Sequence, residues 1–161
     1  MRRATQQDST LLLAWRNDPE TRAGSVHQEV VRPEEHEAWL ARRLADPRSL
    51  LLVGLDGAGV PVGQVRFDVD RGGEAEASIT VAPERRGQEF GTALLSAACV
   101  EAFRALGVRS IRALIRRDNR ASRRIFEQAG FGRWTRAVLD SQEYLQCWLA
   151  GDPAGGRAVA G

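Results

Sequence analysis

The chain has 161 residues, 43% of them apolar and 27% charged, with a net charge of +2; this is the balance of one folded domain and excludes a disordered chain. All 23 basic residues are Arg and none is Lys, which excludes chemistry that needs a lysine, such as a Schiff base or a Walker A phosphate contact. Cys99 and Cys147, His27 and His36 are too few and too scattered for a zinc site or a disulfide framework, so no metal is expected.

Charge is uneven along the chain. Residues 1–80 hold 10 Arg against 13 acidic residues, and residues 81–161 hold 13 Arg against 8. A basic second half suits an anionic ligand. Among the five arginines from Arg116 to Arg124, where single-stranded nucleic acid would want aromatic stacking partners, only Phe126 is near, so no nucleic-acid partner is expected. The first residues carry no apolar signal-peptide core, and no 18-residue apolar run follows. The expected location is the cytoplasm, with no membrane partner.

In chain order, Asp8 is placed to cap a helix through Leu11, Leu12, Leu13 and Trp15 that stops at Asn17-Asp18-Pro19. A second helix starts near Pro33, acidic in its first turn and basic at Arg42 and Arg43, as a helix dipole favours. Three strands follow, Ser49–Leu55, Val62–Val69 and Glu74–Val81, joined by turn signals into an antiparallel meander. The third alternates strictly, with Glu74, Glu76, Ser78 and Thr80 on one face. Helix returns from Thr92 to about Leu106 and stops at Gly107. Ser110–Ile115 reads as a strand and Asn119–Ala129 as a helix ended by Gly130. Two closing strands are expected near Phe131–Arg136 and Tyr144–Leu149. The domain is expected to span 1–149, and the Gly/Ala-rich stretch 150–161 is expected to be a disordered tail.

The stretch Val81-Ala82-Pro83-Glu84-Arg85-Arg86-Gly87-Gln88-Glu89-Phe90-Gly91-Thr92 carries the chemistry. A strand ends, an Arg- and Gly-rich loop turns, and a helix begins. The free N–H groups of a first helical turn suit a phosphate or diphosphate, and Arg86 can add a bidentate contact. An ordinary strand-to-helix connection is the alternative. The stretch meets neither the Walker A nor the Rossmann glycine pattern.

It does resemble motif A of the GNAT N-acetyltransferases, Arg/Gln-x-x-Gly-x-Gly/Ala, with Arg86 and Gly91 at the first and last positions. Glu89 departs from the family's usual central glycine, which puts coenzyme affinity in doubt. A second segment, Asn119 and Ser122 followed by Phe126-Glu127 and Gly130-Phe131, is similar to the family's Asn-x-x-Ser/Ala…Phe/Tyr-Glu-x-x-Gly-Phe signature. Asn119 and Gly130 also read simply as helix cap and terminator. The resemblance covers residues 1 to about 149. It implies an α/β (α+β) fold: a mixed, mostly antiparallel twisted sheet of about six or seven strands, splayed between the fourth and fifth, with about four flanking helices. It implies acetyl-CoA as co-substrate, held by Ile79, Val81, Arg86, Gly87, Gln88, Glu89, Phe90, Gly91, Thr92, Asn119 and Ser122.

A narrower resemblance, through Trp15-Arg16-Asn17-Asp18-Pro19-Glu20-Thr21-Arg22, His27-Gln28-Glu29, Glu34–Trp39 and Gly63–Asp68, is to the branch acting on UDP-linked 4-amino sugars, touching also the protein N-terminal acetyltransferases. It makes Arg16, Asn17, His27 and Arg66 candidate acceptor-binding residues; Trp15 and Trp39 read equally as core. The implied reaction is direct attack of a small acceptor's primary amine on the thioester. Glu76, Glu74 and His27 are candidate bases, with Glu76 preferred for its expected closeness to the acetyl group. Phe126 stands where many members carry an acid tyrosine, so Tyr144, the one tyrosine, is the candidate acid, with Ser122 or solvent as substitutes. A non-catalytic acyl-CoA-binding module and a protein N-terminal acetyltransferase are the alternatives, and a homodimer is left open.

Overall fold

The computed structural model describes residues 1–151. Seven strands form one sheet: β1 (Arg2–Arg3), β2 (Ser49–Leu55), β3 (Pro61–Val69), β4 (Ala75–Val81), β5 (Ser110–Arg116), β6 (Gly132–Leu139) and β7 (Gln142–Ala150). Their order across the sheet is β1-β2-β3-β4-β5-β7-β6. Every neighbouring pair is antiparallel except β4 and β5, which run parallel. Five helices flank the sheet: α1 (Ser9–Asn17), α2 (Pro19–Ala23), α3 (Pro33–Ala45), α4 (Phe90–Leu106) and α5 (Arg120–Gln128).

The two faces of the sheet build two apolar clusters. Leu50, Leu52, Val65, Phe67, Ala77 and Ile111 point to the α4 side, where Leu95, Ala98 and Cys99 meet them. Leu51 and Val53, one residue out of phase, point to the other side and pack on Leu12, Trp15 and Leu40 of α1 and α3. Trp15 is therefore core. α5 is anchored at its end by Phe126 set edge-on against Phe131, with ring centroids 4.8 Å apart.

Several elements differ from the sequence reading, each for a local reason. Asp8 precedes α1, but its carboxylate makes no cap bond to the helix; it accepts from the Thr5 amide and from both terminal nitrogens of Arg2. Pro19 does not end helical structure. It opens α2, whose Thr21 amide is capped by Asp18 at 2.9 Å. α2 accounts for the fifth helix. α4 begins at Phe90, two residues earlier than expected, straight out of a left-handed Glu89. β4 starts at Ala75, leaving Glu74 in the preceding turn. The closing strands are longer than expected and are joined through Asp140 and Ser141, both at positive φ, in a two-residue hairpin turn. β7 extends to Ala150, and the Gly151 amide donates to the Arg109 carbonyl at 2.9 Å. The start of the expected tail is thus the end of an interior strand, and its remainder, from 152, lies outside the described residues.

Only two residue pairs, Ala75 with Ile111 and Glu76 with Arg112, hold β4 and β5 in register. Beyond Glu76 the strands part. From Ala77 to Val81, β4 keeps its β3 partner and has none on its β5 side. The result is a V-shaped gap with backbone donors and acceptors along one wall.

Candidate active site

The open end of the gap meets the start of α4. Among the described residues, the amides of Gly87 through Gly91 make no hydrogen bond of normal geometry, and those of Phe90 and Gly91 lie at the positive end of a 17-residue helix. Gly87 and Glu89 both lie at positive φ (72° and 63°), which curls the loop back on itself. At the second position a glycine would be at ease and a glutamate is strained. The Glu89 side chain is exposed and makes no cap bond. Gln88 donates to the Glu84 carbonyl, and the Arg85 guanidinium lies 5.7 Å from the centre of the Phe90 ring.

Gly91 has a packing reason that the sequence did not show. A Cβ there would stand 2.5 Å from Ile125 Cδ1, so the glycine lets α4 and α5 approach each other. Thr92 Oγ1 donates to Gln128 across the same contact. At the start of α5, the Asn119 side chain accepts from the Ser122 amide and donates to the Gly24 carbonyl at the end of α2. Arg86 also reaches α2, donating to Asp18 at 2.6 Å, to Thr21 Oγ1 at 2.7 Å and to Glu20 at 3.0 Å. Burial pushes the Asp18 carboxyl up, but bonds from Arg86 and the Thr21 amide outweigh it and hold it below the usual carboxylate range. Two residues read as coenzyme contacts, Arg86 and Asn119, therefore both tie down α2.

The sheet face opposite α4 carries the candidate base. Glu76 lies where the gap closes and meets Arg112 at 3.2 Å; the same guanidinium lies 3.6 Å from Asp70 and 3.8 Å from Glu74. Arg66 pairs with Asp68 at 2.7 Å and sits 5.4 Å from the Trp39 ring centre. Tyr144 is buried and stands opposite Arg116 on β5, four residues along from Arg112. At roughly 3.3 Å per residue, its register position is offset from that of Glu76 by about 13 Å along the strands, with β5 between them. Tyr144 lines a cavity of about 350 Å³ together with Val26, Gln28, Glu29, Arg116 and Gln142.

Besides Asn119, three side chains of α1 and α2 hold the segment after α2. Asn17 makes a two-way clip with Val31, donating to its carbonyl at 2.8 Å and accepting from its amide at 2.9 Å. Arg16 donates to the His27 carbonyl and Arg22 to the Gln28 carbonyl. The His27 ring is exposed. Arg22, Arg112, Gln28 and Glu29 enter the site without having been singled out as site residues. Arg22 and the Gln28-Glu29 pair lie within the stretches that carry the narrower resemblance, and only the folded loop shows what they touch.

The model of the acetyltransferase (GNAT) domain matches residues 1–132. The chain belongs to this family. The acetyltransferase is accordingly an acetyl-CoA-dependent N-acetyltransferase. Its gap and five free amides fit a coenzyme with an amide-bearing arm and a diphosphate, while the Glu89 carboxylate beside them does not help. Among solved structures, it is similar to spermidine N-acetyltransferase from Vibrio cholerae in complex with CoA and spermine, with a TM-score of 0.84, 18% identity and coverage of 92% of this chain and 93% of that one. It is also similar to the aminoglycoside acetyltransferase AAC(6')-Ib in complex with coenzyme A and kanamycin, with a TM-score of 0.78, 18% identity and coverage of 92% of both chains. At such identities the likeness is one of fold. No curated protein sequence matches the chain. Among the described residues no helix is long and apolar enough to cross a membrane.

Proposed function

We propose that the acetyltransferase moves an acetyl group to the primary amine of a small acceptor, and that the acceptor is a nucleotide-linked amino sugar. The observation that carries the acetyl-transfer site is the gap beside the unpartnered edge of β4, opening onto the free amides at the start of α4. The acceptor class is supported by the stretches from Trp15 to Arg22 and from Gly63 to Asp68.

Acetyl-CoA supplies an activated thioester carbonyl. The amides of Gly87 to Gly91 hold its diphosphate, with Thr92 on the following turn. The β4 edge, including Ile79 and Val81, bonds the amide-bearing arm as an added strand would, and one edge N–H polarises the carbonyl. Asn119 and Ser122 border the arm from the α5 side. Arg86 orders the loop through α2. Glu76 takes the amine proton, through water. The Tyr144 hydroxyl, in the wall of the cavity, orients the acceptor, and the thiolate regains its proton from solvent. Arg16, Asn17, His27 and Arg66 surround the acceptor.

The test is thiol release from acetyl-CoA with UDP-linked amino sugars, spermidine, kanamycin and peptides with free N-termini as acceptors. Release with the amino sugars, falling by about 10²–10⁴ in kcat for Glu76→Gln, is expected. Tyr144→Phe should raise KM more than it lowers kcat. Coenzyme binding with no turnover on any amine would overturn the catalytic reading in favour of a binding module, and turnover confined to peptides would overturn the acceptor class.

A further inference from the structure

Most arginines of this chain have an obvious environment. Among the described residues they are either exposed to solvent or within 4.0 Å of a carboxylate. Arg16 on α1 and Arg22 on α2 are neither. Both are half-buried, and neither has a carboxylate within salt-bridge distance among the described residues. Their partners are neutral and adjacent in sequence: Arg16 Nη2 donates to the His27 carbonyl at 2.9 Å, and Arg22 Nη1 donates to the Gln28 carbonyl at 3.1 Å. Each also keeps a buried nitrogen with no acceptor at all, Arg16 Nη1 and Arg22 Nε.

This is an unfavourable state for a charge. Removing a guanidinium from water costs several kcal/mol unless an opposite charge and hydrogen bonds compensate, and a main-chain carbonyl supplies only part of that. Burial pulls the Arg16 guanidinium below its ordinary value; Glu29 opposes this, and the neighbouring Arg22 and Arg66 add to it. The cluster is therefore net cationic. The two guanidinium groups stand behind the cavity wall and not in its lining: the carbonyls they hold belong to the segment that contributes Val26, Gln28 and Glu29 to that wall. Two forks with spare N–H groups match the oxygens of a phosphate or carboxylate.

We propose that Arg16 and Arg22 form an oxyanion-binding pair on the acceptor side of the gap, which takes a phosphate or carboxylate group carried by the amine acceptor. The proposal rests on the acetyl-transfer reading and sharpens it. The acceptor is an amine that also bears a negative charge, and polycations such as spermine or kanamycin are disfavoured by repulsion at this pair.

The test titrates UDP, as a phosphate probe, and succinate, as a carboxylate probe, into the protein with and without saturating CoA. At least one probe is expected to bind in both conditions, more weakly as salt rises. Arg16→Gln and Arg22→Gln should each weaken it by at least about tenfold, since each removes a charged fork, while CoA affinity stays within about twofold because neither residue touches the diphosphate site. Binding of UDP alone assigns a phosphate-bearing acceptor, and binding of succinate alone a carboxylate-bearing one. Gln keeps an amide donor for the loop carbonyl. If a Gln variant does not fold, Arg22→Lys, which keeps charge but loses the fork, is expected to weaken binding severalfold. No binding of either probe overturns the proposal, as does binding that the variants leave unchanged while only their melting temperatures fall. Failure of CoA to bind overturns the acetyl-transfer reading instead, and the CoA-free titration still reports on the arginine pair.

Discussion

Replacing Glu89 by glycine separates two effects that meet at one residue. Glu89 holds φ 63° and ψ 4° at the entrance of α4, with its side chain in solvent. A left-handed conformation costs a non-glycine residue about 1–2 kcal/mol, which glycine recovers. Glycine gives back about 0.4–1 kcal/mol through the freer unfolded chain, and about 0.3–1 kcal/mol of carboxylate interaction with the helix N-terminus is lost. Stability should therefore change by no more than about 1 kcal/mol. Coenzyme binding should change more clearly. A carboxylate about 7 Å from a doubly charged diphosphate repels it by about 1 kcal/mol at the dielectric constant of water, so its removal should lower the CoA Kd about fivefold. Calorimetric CoA titration and urea unfolding of the wild type, Glu89→Gly and Glu89→Gln measure both quantities. Both variants should tighten CoA binding, less so at high salt. Glu89→Gln, which keeps the strain and loses the charge, should be slightly less stable than the wild type. An unchanged Kd in both variants would refute the placement of the diphosphate at this helix end.

Gly63→Ala should destabilise by about 2 kcal/mol or more, because the new Cβ would lie 2.5 Å from the Thr80 carbonyl oxygen, where backbone and not a flexible side chain must move; urea unfolding measures it. Cys99 and Cys147 are buried, and burial pushes each thiol up to about 12, so a thiol reagent at pH 8 should react with the native protein only as fast as it unfolds. His36 is buried beside Ser9, and burial lowers its value below the ordinary 6.5. In acid the unfolded chain takes up this proton before the folded one. Stability should thus be intact above pH 6.5 and fall as pH drops below it, and His36→Gln should flatten that part of a urea-midpoint profile.

Elements with a strong period could be read from the residues alone. Ser49–Leu55 was delimited to the residue, β3 and β4 to within one, and Gly107 caps α4 at φ 64° as its position suggested. Short pieces were not legible. α2 has five residues, and its Asp18-Pro19 start looks the same as a stop after α1. Asp8 takes the N-cap position of α1, but the missing cap bond is not legible, because Arg2 and the Thr5 amide take its carboxylate. The motif loop was visible as a candidate site, since glycines and arginines before a helix have few other uses. The role of Arg22 was not, because it depends on which carbonyl a folded loop brings to it and on how much water the neighbouring helices remove. The distance between Glu76 and Tyr144 is likewise a matter of strand register.

The seam between β4 and β5 has few backbone bonds, yet the two halves of the sheet do not come apart. Ala75 and Ala77 on one side, and Ile111, Ala113, Cys147 and Leu149 on the other, share a single oily layer beneath α4. Such contacts have no preferred direction, so they tolerate a wedge better than a ladder of bonds does. A slender guest can therefore slide into the crevice without the protein first having to break anything.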